Sequence, residues 1–215
     1  MNIKLLSLSL FVLAAVSELG ASWFENSKWR AIFKPFVMLT LLACYLSAAR
    51  SVRPLFAAGI ALCLIGDVLL IFKRTFYIGG IAFFLAHVCF IFTFTRHVKL
   101  VAVWPAVLLA SLYAATVIVI SYKIRSDKNR FSRGMSTAYL VFVCVMSFTA
   151  FLQLQSIDSH AALLVFVGSS SFVASDSALL VREFQSDITV PKMCFIVMLT
   201  YIAALVFMVY GMIKI

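Results

Sequence analysis

The chain has 215 residues, of which 64% are hydrophobic and 12% are charged. About a quarter of the residues in an average soluble domain are charged, so this composition excludes a water-soluble globular protein. The net charge of +10 would suggest nucleic-acid binding in a soluble protein. Here most basic residues lie beside hydrophobic segments, where they meet lipid phosphates. We therefore expect membrane lipid as a partner and no nucleic acid.

Hydrophobic runs between charged residues predict eight transmembrane helices, because one span needs about 20 mainly apolar residues. The expected fold class is all-α, a polytopic eight-helix bundle that forms one membrane domain over residues 1–215. The first run follows Lys4 and resembles a signal peptide, but it continues past Val16, so we expect it to be retained as a span. The predicted spans are 5–22, 34–50, 55–72, 76–95, 101–121, 136–153, 160–181 and 192–213.

The loops between these spans, numbered in chain order, differ in their content of basic residues. The odd-numbered loops contain twelve of the 18 Lys and Arg residues, and the even-numbered loops with the termini contain six. The positive-inside rule places the odd-numbered loops in the cytoplasm and both termini outside. The segment Lys123–Arg133 supplies five of the twelve, so the asymmetry depends largely on one loop. The compact chain favours a bacterial inner membrane.

Two short segments indicate an internal repeat. Asp67–Lys73 and Asp176–Arg182 share an aspartate, a leucine three positions later and a basic residue six positions later. They close the third and seventh predicted spans, and this separation would make a parallel repeat of two four-helix halves. A match this short also arises by chance, so a bundle without internal symmetry is the alternative.

Four ionisable residues lie inside predicted spans, where such groups are costly and indicate a functional site. They are Glu18, Asp67, His87 and Asp176. Asp67 and Asp176 each lie six positions before the basic residue that ends their span. Six positions correspond to roughly 9 Å along an α-helix. Glu18 lies near the same boundary, where Lys34 begins the second span. We therefore expect three acids and one lysine at a common depth, with His87 near the middle of the membrane.

Carboxyl groups that share a site can divide the roles of proton donor and base, as general acid–base catalysis requires. We interpret Asp67 and Asp176 as catalytic candidates and Glu18 as a third. The structural alternatives are that the aspartates cap or bridge helices, or pair with Lys34, and that Glu18 extends to the membrane interface.

Metal-dependent and serine-dependent chemistry are both disfavoured. Zinc usually has three or four protein ligands, whereas His87 is the only histidine in the interior of a predicted span, since His97 and His160 lie at span ends, and the five cysteines lie singly without a CxxC pair. We expect no metal and no other cofactor. Ser175 lies beside Asp176, but G-x-S-x-G is absent, and serines in spans more often bond to helix carbonyls or allow close packing.

Three motifs resemble those of the lysoplasmalogenase (YhhN-like) family of integral membrane hydrolases. They are Gly66-Asp67-x-x-Leu70, Phe76-x-x-Gly79-x-x-x-Phe83-x-x-x-His87 and, after Gly168, Ser175-Asp176-Ser177. Lys34-Pro35 and Tyr139 fit the same pattern, and the similarity covers essentially the whole chain. Ala86 stands where this pattern would have a glycine, which affects only the expected packing of the fourth span.

The resemblance implies hydrolysis of the vinyl ether bond of a lysoplasmalogen, a lysophospholipid, to a fatty aldehyde and glycerophosphoethanolamine or glycerophosphocholine. Proton delivery to carbon would give an oxocarbenium ion that water captures, a task for two carboxyl groups as in glycoside hydrolysis. One of Asp67 and Asp176 would donate the proton, and the other would stabilise the cation and activate water.

The remaining candidate residues have supporting roles in this hypothesis. Glu18 would tune the two aspartates, Lys34 would bind the phosphate, and Tyr139 or His87 would orient water. Ser175 is a further substrate-binding candidate. The alternative functions are a proton-coupled small-molecule transporter and an intramembrane lipid hydrolase that acts on another bond.

Overall fold

A computed structural model describes residues 3–96, 98–99, 101–123, 130–157, 159–184 and 191–215. Within these ranges the chain forms eight α-helices and one short 3₁₀ helix, Lys73–Thr75, which precedes the fourth α-helix. The α-helices are α1 Ile3–Trp23, α2 Ser27–Ala48, α3 Pro54–Leu69, α4 Phe76–Thr95, α5 Val103–Lys123, α6 Arg130–Ile157, α7 His160–Phe184 and α8 Met193–Lys214. The central part of the basic loop used for the topology prediction, residues 124–129, lies outside the described ranges.

Seven of these helices are long and apolar enough to cross a membrane. The exception is α3, whose 16 residues correspond to about 24 Å, less than the roughly 30 Å of a hydrocarbon core. The prediction of an all-α polytopic membrane protein is confirmed. The single membrane domain, the two four-helix halves and the sidedness stay predictions.

The end of α3 differs from the predicted span, which extended to residue 72. The helix ends at Leu69, and the hydroxyl of Thr75 donates a 2.6 Å hydrogen bond to the Leu69 carbonyl. The last carbonyls of a helix lack partners within the helix, so this bond from the 3₁₀ helix stabilises the early end. Asp67 consequently lies in the last turn of α3.

The start of α2 also differs from the predicted span, which began at Lys34. The helix begins at Ser27, and the side chain of Asn26 accepts a 3.3 Å hydrogen bond from the Trp29 amide. Asparagine favours this capping position because its side-chain oxygen satisfies one of the free amides of the first turn. Lys34 therefore lies inside α2, about 10 Å along the axis from Ser27.

Close contact between α7 and α8 positions one of the aspartates. A Cβ atom built on Gly168 of α7 would lie 2.6 Å from the Ala204 carbonyl of α8, and one built on Gly211 of α8 would lie 2.6 Å from the Ala161 carbonyl of α7. Glycine permits this separation because it has no side chain. The contact brings the part of α7 around Asp176 against α8.

The bundle encloses ionisable side chains and exposes apolar ones. Among the described residues, the buried acids and histidine are Glu18, Asp67, His87 and Asp176, each at most 4% exposed. Leu108 on α5, by contrast, is 74% exposed. This distribution suits a protein surrounded by hydrocarbon, where ionisable groups face the interior of a bundle.

Candidate active site

Two aspartates from different helices line one cavity. Asp67 on α3 and Asp176 on α7 are 1% and 4% exposed, and both line a cavity of about 410 Å³. The cavity lies at the end of the bundle that carries the odd-numbered connections, because Ser27 near the start of α2 and Arg182 near the end of α7 also line it. We call this space the charged cavity. The structure thus brings the two principal catalytic candidates together.

Asp67 has a cationic partner and a phenolic partner. Nζ of Lys34 lies 2.8 Å from Oδ1 of Asp67, and the hydroxyl of Tyr201 donates a 2.9 Å hydrogen bond to Oδ2. The ammonium group also lies 5.9 Å from the centre of the Tyr201 ring, within the range of cation–π attraction. Lys34, expected to bind a phosphate, is thus held beside Asp67.

Asp176 has different neighbours. The hydroxyl of Tyr139 donates a short hydrogen bond to its Oδ2, and Nε2 of His87 lies 3.9 Å from the same oxygen. Among the described residues, His87 is the only basic side chain with a nitrogen within 4 Å of the Asp176 carboxyl oxygens. The two aspartates therefore differ in their counterions, although they share a cavity.

The proton position on neutral His87 follows from its partner on the backbone. Its Nδ1 lies 2.6 Å from the Phe83 carbonyl, and because a carbonyl only accepts hydrogen bonds, Nδ1 carries the proton. The neutral ring thus presents the lone pair of Nε2 toward Asp176, and no described residue forms a hydrogen bond with that atom. His87 is fully buried and does not line the charged cavity, so it lies behind Asp176.

Glu18 belongs to a separate cluster. Its Oε1 accepts a 3.1 Å hydrogen bond from Ser22 and lies 3.6 Å from Nε of Arg30, which itself donates a 3.0 Å hydrogen bond to Ser22. Glu18 is fully buried but does not line the charged cavity, whereas Arg30 does. The three acids therefore do not share one cavity, and Glu18 contacts a cavity-lining residue, Arg30.

Ser175 lines the charged cavity, but its hydroxyl has a structural partner. It donates a 3.0 Å hydrogen bond to the Val197 carbonyl of α8, which is consistent with the preference of serines in spans for helix carbonyls. This bond fixes α7 against α8 next to Asp176.

The sequence interpretation missed several polar residues that line the charged cavity. Tyr201 binds Asp67, and Arg30 and Arg182 line the part of the cavity near the helix ends. The available signal for Tyr201 was a phenol inside an apolar span, because a buried tyrosine usually finds a hydrogen-bond partner. The arginines were assigned only to the membrane interface.

The arrangement can transfer protons and bind an anion. Two aspartates and two tyrosines line one cavity, together with two guanidinium groups, one ammonium group and the carboxyl group of Glu183. Within the described residues, no group of three or more His, Cys, Asp or Glu side chains is arranged to hold a metal ion. The carboxyl and phenol groups that line the cavity can supply acid–base chemistry.

A family model described as the YhhN family matches residues 29–212. No curated protein and no solved structure matches the chain. The matched region includes the charged residues of the cavity on α2, α3 and α7, whereas Glu18 and Ser22 precede it.

Proposed function

This chain belongs to the YhhN family, and we propose that it is a membrane hydrolase that cleaves the vinyl ether bond of lysoplasmalogens. The products would be a fatty aldehyde and glycerophosphoethanolamine or glycerophosphocholine. The observation that carries this proposal is the pair of buried carboxyl groups, Asp67 and Asp176, that line one cavity with unequal counterions. The motif resemblance of α3, α4 and α7 supplies the choice of bond.

We assign proton donation to Asp176 and cation stabilisation to Asp67. A buried charge without a partner is costly, and Lys34 provides Asp67 with a fixed cation at 2.8 Å. Asp176 instead has a phenol and a histidine whose Nε2 is 3.9 Å away. Asp67 is therefore the carboxylate of the pair, and Asp176 is the neutral acid.

The reaction proceeds in three steps that consume one water molecule. Asp176 delivers its proton to the vinyl carbon remote from the ether oxygen, which leaves an oxocarbenium ion beside the ionised Asp67. Water adds to the carbon bonded to oxygen and loses its proton to a carboxylate, which forms a hemiacetal. In the last step the hemiacetal hydroxyl loses its proton to a carboxylate, the bond to the glycerol oxygen breaks, and that oxygen takes up a proton from a carboxyl group, which releases the aldehyde.

Tyr139 and His87 have distinct supporting roles. Tyr139 lines the charged cavity and donates to Asp176, so it positions the acid and lies within reach of substrate. His87 lies behind Asp176 and its Nδ1 is fixed by the Phe83 carbonyl, so it acts on the aspartate rather than on the lipid.

The part of the charged cavity that Arg30 and Arg182 line suits a zwitterionic headgroup. Arg182 lies six residues beyond Asp176 on α7, about 9 Å along the axis, and Arg30 lies one turn before Lys34 on α2. Guanidinium groups bind phosphate through paired hydrogen bonds, and the adjacent Glu183 suits the ammonium group. Only a glycerol unit separates the phosphate of a lysoplasmalogen from its vinyl ether. The phosphate would therefore lie at the arginines while the vinyl ether lies at Asp176.

The deciding experiment measures aldehyde release by mass spectrometry from purified protein in detergent. Asp67→Asn and Asp176→Asn should each lower kcat at least about 100-fold, the typical contribution of general acid–base catalysis. Ser111→Ala, at an exposed serine of α5 that bonds its own helix, is the matched control and should retain wild-type turnover. Wild-type turnover in either folded aspartate variant would contradict the proposal.

The same assay separates the alternative functions. Hydrolysis in detergent, where no vesicle barrier exists, distinguishes a hydrolase from a carrier. Parallel substrates with a vinyl ether, an ester and an amide bond identify the cleaved linkage. Cleavage of the ester or the amide in preference to the vinyl ether would replace the proposed substrate class.

A further inference from the structure

A second cavity of about 400 Å³ lies between α4, α6 and α7, and its lining is almost entirely apolar. We call it the apolar cleft and define it by residues that face only this space. They include Tyr77, Gly80, Ile81, Phe84, Met135 and Leu180. The proton transfer proposed for Asp176 involves none of these side chains.

The apolar cleft adjoins the charged cavity. Six residues line both spaces, and they are Leu70, Phe76, Phe83, Tyr139, Leu179 and Glu183. Two of the shared residues are polar, Tyr139 and Glu183, and the hydroxyl of Tyr139 binds Asp176. A ligand that occupied both spaces would need one charged end and one hydrocarbon end, with the reacting group between them.

The outer side of the cleft opens toward lipid. Tyr77, Ile81 and Leu85 follow one another at intervals of four on α4, and they are 46%, 48% and 45% exposed. Residues at this spacing share one helix face, so the cleft is bordered by a lipid-facing stripe. Along α4 the lining extends from Phe76 to Leu85, about 14 Å toward the centre of the membrane.

Gly80 leaves this opening unobstructed. A Cβ atom built at Gly80 would have no atom within 4 Å, whereas one built at the neighbouring Gly79 would lie 3.1 Å from Leu70. Gly79 thus serves the packing of α4 against the end of α3. Gly80 contributes empty space where the cleft meets the bilayer.

We propose that the apolar cleft binds the hydrocarbon chain of the substrate, which enters sideways from the bilayer between α4 and α6 while its headgroup occupies the charged cavity. This inference rests on the proposed function, since it places the tail of the same lipid. The vinyl ether joins headgroup and chain, so it would lie at the junction of the two spaces, beside Tyr139 and Asp176.

Substitution of Gly80 tests the cleft through its dependence on chain length. Gly80→Leu should lower kcat/KM for a long-chain lysoplasmalogen about tenfold or more, since small volume changes in an apolar pocket have effects of this size. A short-chain homologue should be cleaved within about twofold of the wild-type rate, and Gly80→Ala should be intermediate. Gly20→Leu is the control, because Gly20 on α1 also has open space around it and lies outside the cleft. Equal losses for both chain lengths, or no loss for either, would overturn the inference.

A binding measurement separates failure of the cleft from failure of the proposed function. The probe is a saturated alkyl-ether lysophospholipid with a diazirine at the end of its chain, which lacks the cleavable bond. Photolysis in wild-type protein should label peptides of α4 and α6, and Gly80→Leu should reduce this labelling while Gly20→Leu leaves it unchanged. Labelling confined to other helices would refute the cleft even if hydrolysis were observed. Labelling of the cleft without hydrolysis of any lysoplasmalogen would refute the proposed reaction alone.

Discussion

Nζ of Lys34 lies 2.8 Å from Oδ1 of Asp67, and this ion pair distinguishes the two aspartates of the charged cavity. The lysine comes from the second turn of α2 and the aspartate from the last turn of α3. Because Asp67 is almost fully buried, its charge depends on this neighbour.

Lys34→Met should destabilise the protein and abolish activity, because it leaves a buried carboxylate without its cation. Breaking a buried pair in this way costs about 3–5 kcal/mol in the free energy of unfolding. The double variant Lys34→Met/Asp67→Asn should regain much of the stability, since the unpaired charge is gone, but not the activity. Unfolding in detergent, followed for both variants and for the exposed control Lys28→Met, measures the effect. A double variant no more stable than Lys34→Met would contradict the assigned ion pair.

Tyr139→Phe should lower kcat more than Tyr201→Phe does. Each substitution removes one hydrogen bond to an aspartate that we propose to be catalytic, but Asp67 keeps Lys34 when Tyr201 is changed. We expect a loss of about 100-fold for Tyr139→Phe and about tenfold for Tyr201→Phe, within the range of acid–base contributions. Steady-state kinetics on one lysoplasmalogen gives the comparison. The reverse order would indicate that Asp67 rather than Asp176 is the proton donor.

Arg30→Gln and Arg182→Gln should raise KM and leave kcat nearly unchanged. A hydrogen bond to a charged group contributes about 1.5–3 kcal/mol, so the expected rise in KM is about tenfold for each. An alkenylglycerol without phosphate should show no such dependence on either arginine. Arg96→Gln, at an exposed residue after α4, provides the control. If kcat fell with KM unchanged, the arginines would act on the reacting bond instead of the phosphate.

Glu18→Gln should impair substrate binding without removing catalysis. Glu18 contacts Arg30 and Ser22 but does not line the charged cavity, so kcat should stay within about threefold of wild type while KM rises with the loss of Arg30 positioning. The variant Glu18→Gln/Arg30→Gln should be no worse than Arg30→Gln alone, since both changes affect one interaction. A kcat loss as large as that of Asp176→Asn would place Glu18 among the catalytic residues.

Several features of this protein follow from its sequence because they depend only on composition and on the order of residues along the chain. The number of helices depends on hydropathy, and the depth expected for Asp67 and Asp176 depends on the fixed rise of the α-helix. The membrane character follows from composition alone. The family assignment follows from motifs on α3, α4 and α7, and it agrees with the family match over residues 29–212.

Other features depend on packing. Hydropathy gives the depth of a residue but neither the rotation of its helix nor the neighbour it faces, so it placed Glu18 beside the aspartates and missed Tyr201. The capping hydrogen bonds of Asn26 and Thr75 stabilise a start of α2 and an end of α3 that differ from those expected from hydropathy. The pairing of Lys34 with Asp67, the position of His87 behind Asp176 and the cleft at Gly80 all arise from contacts between distant segments. Such contacts are decided by side-chain shape and hydrogen bonding in the assembled bundle, so only the tertiary structure contains them.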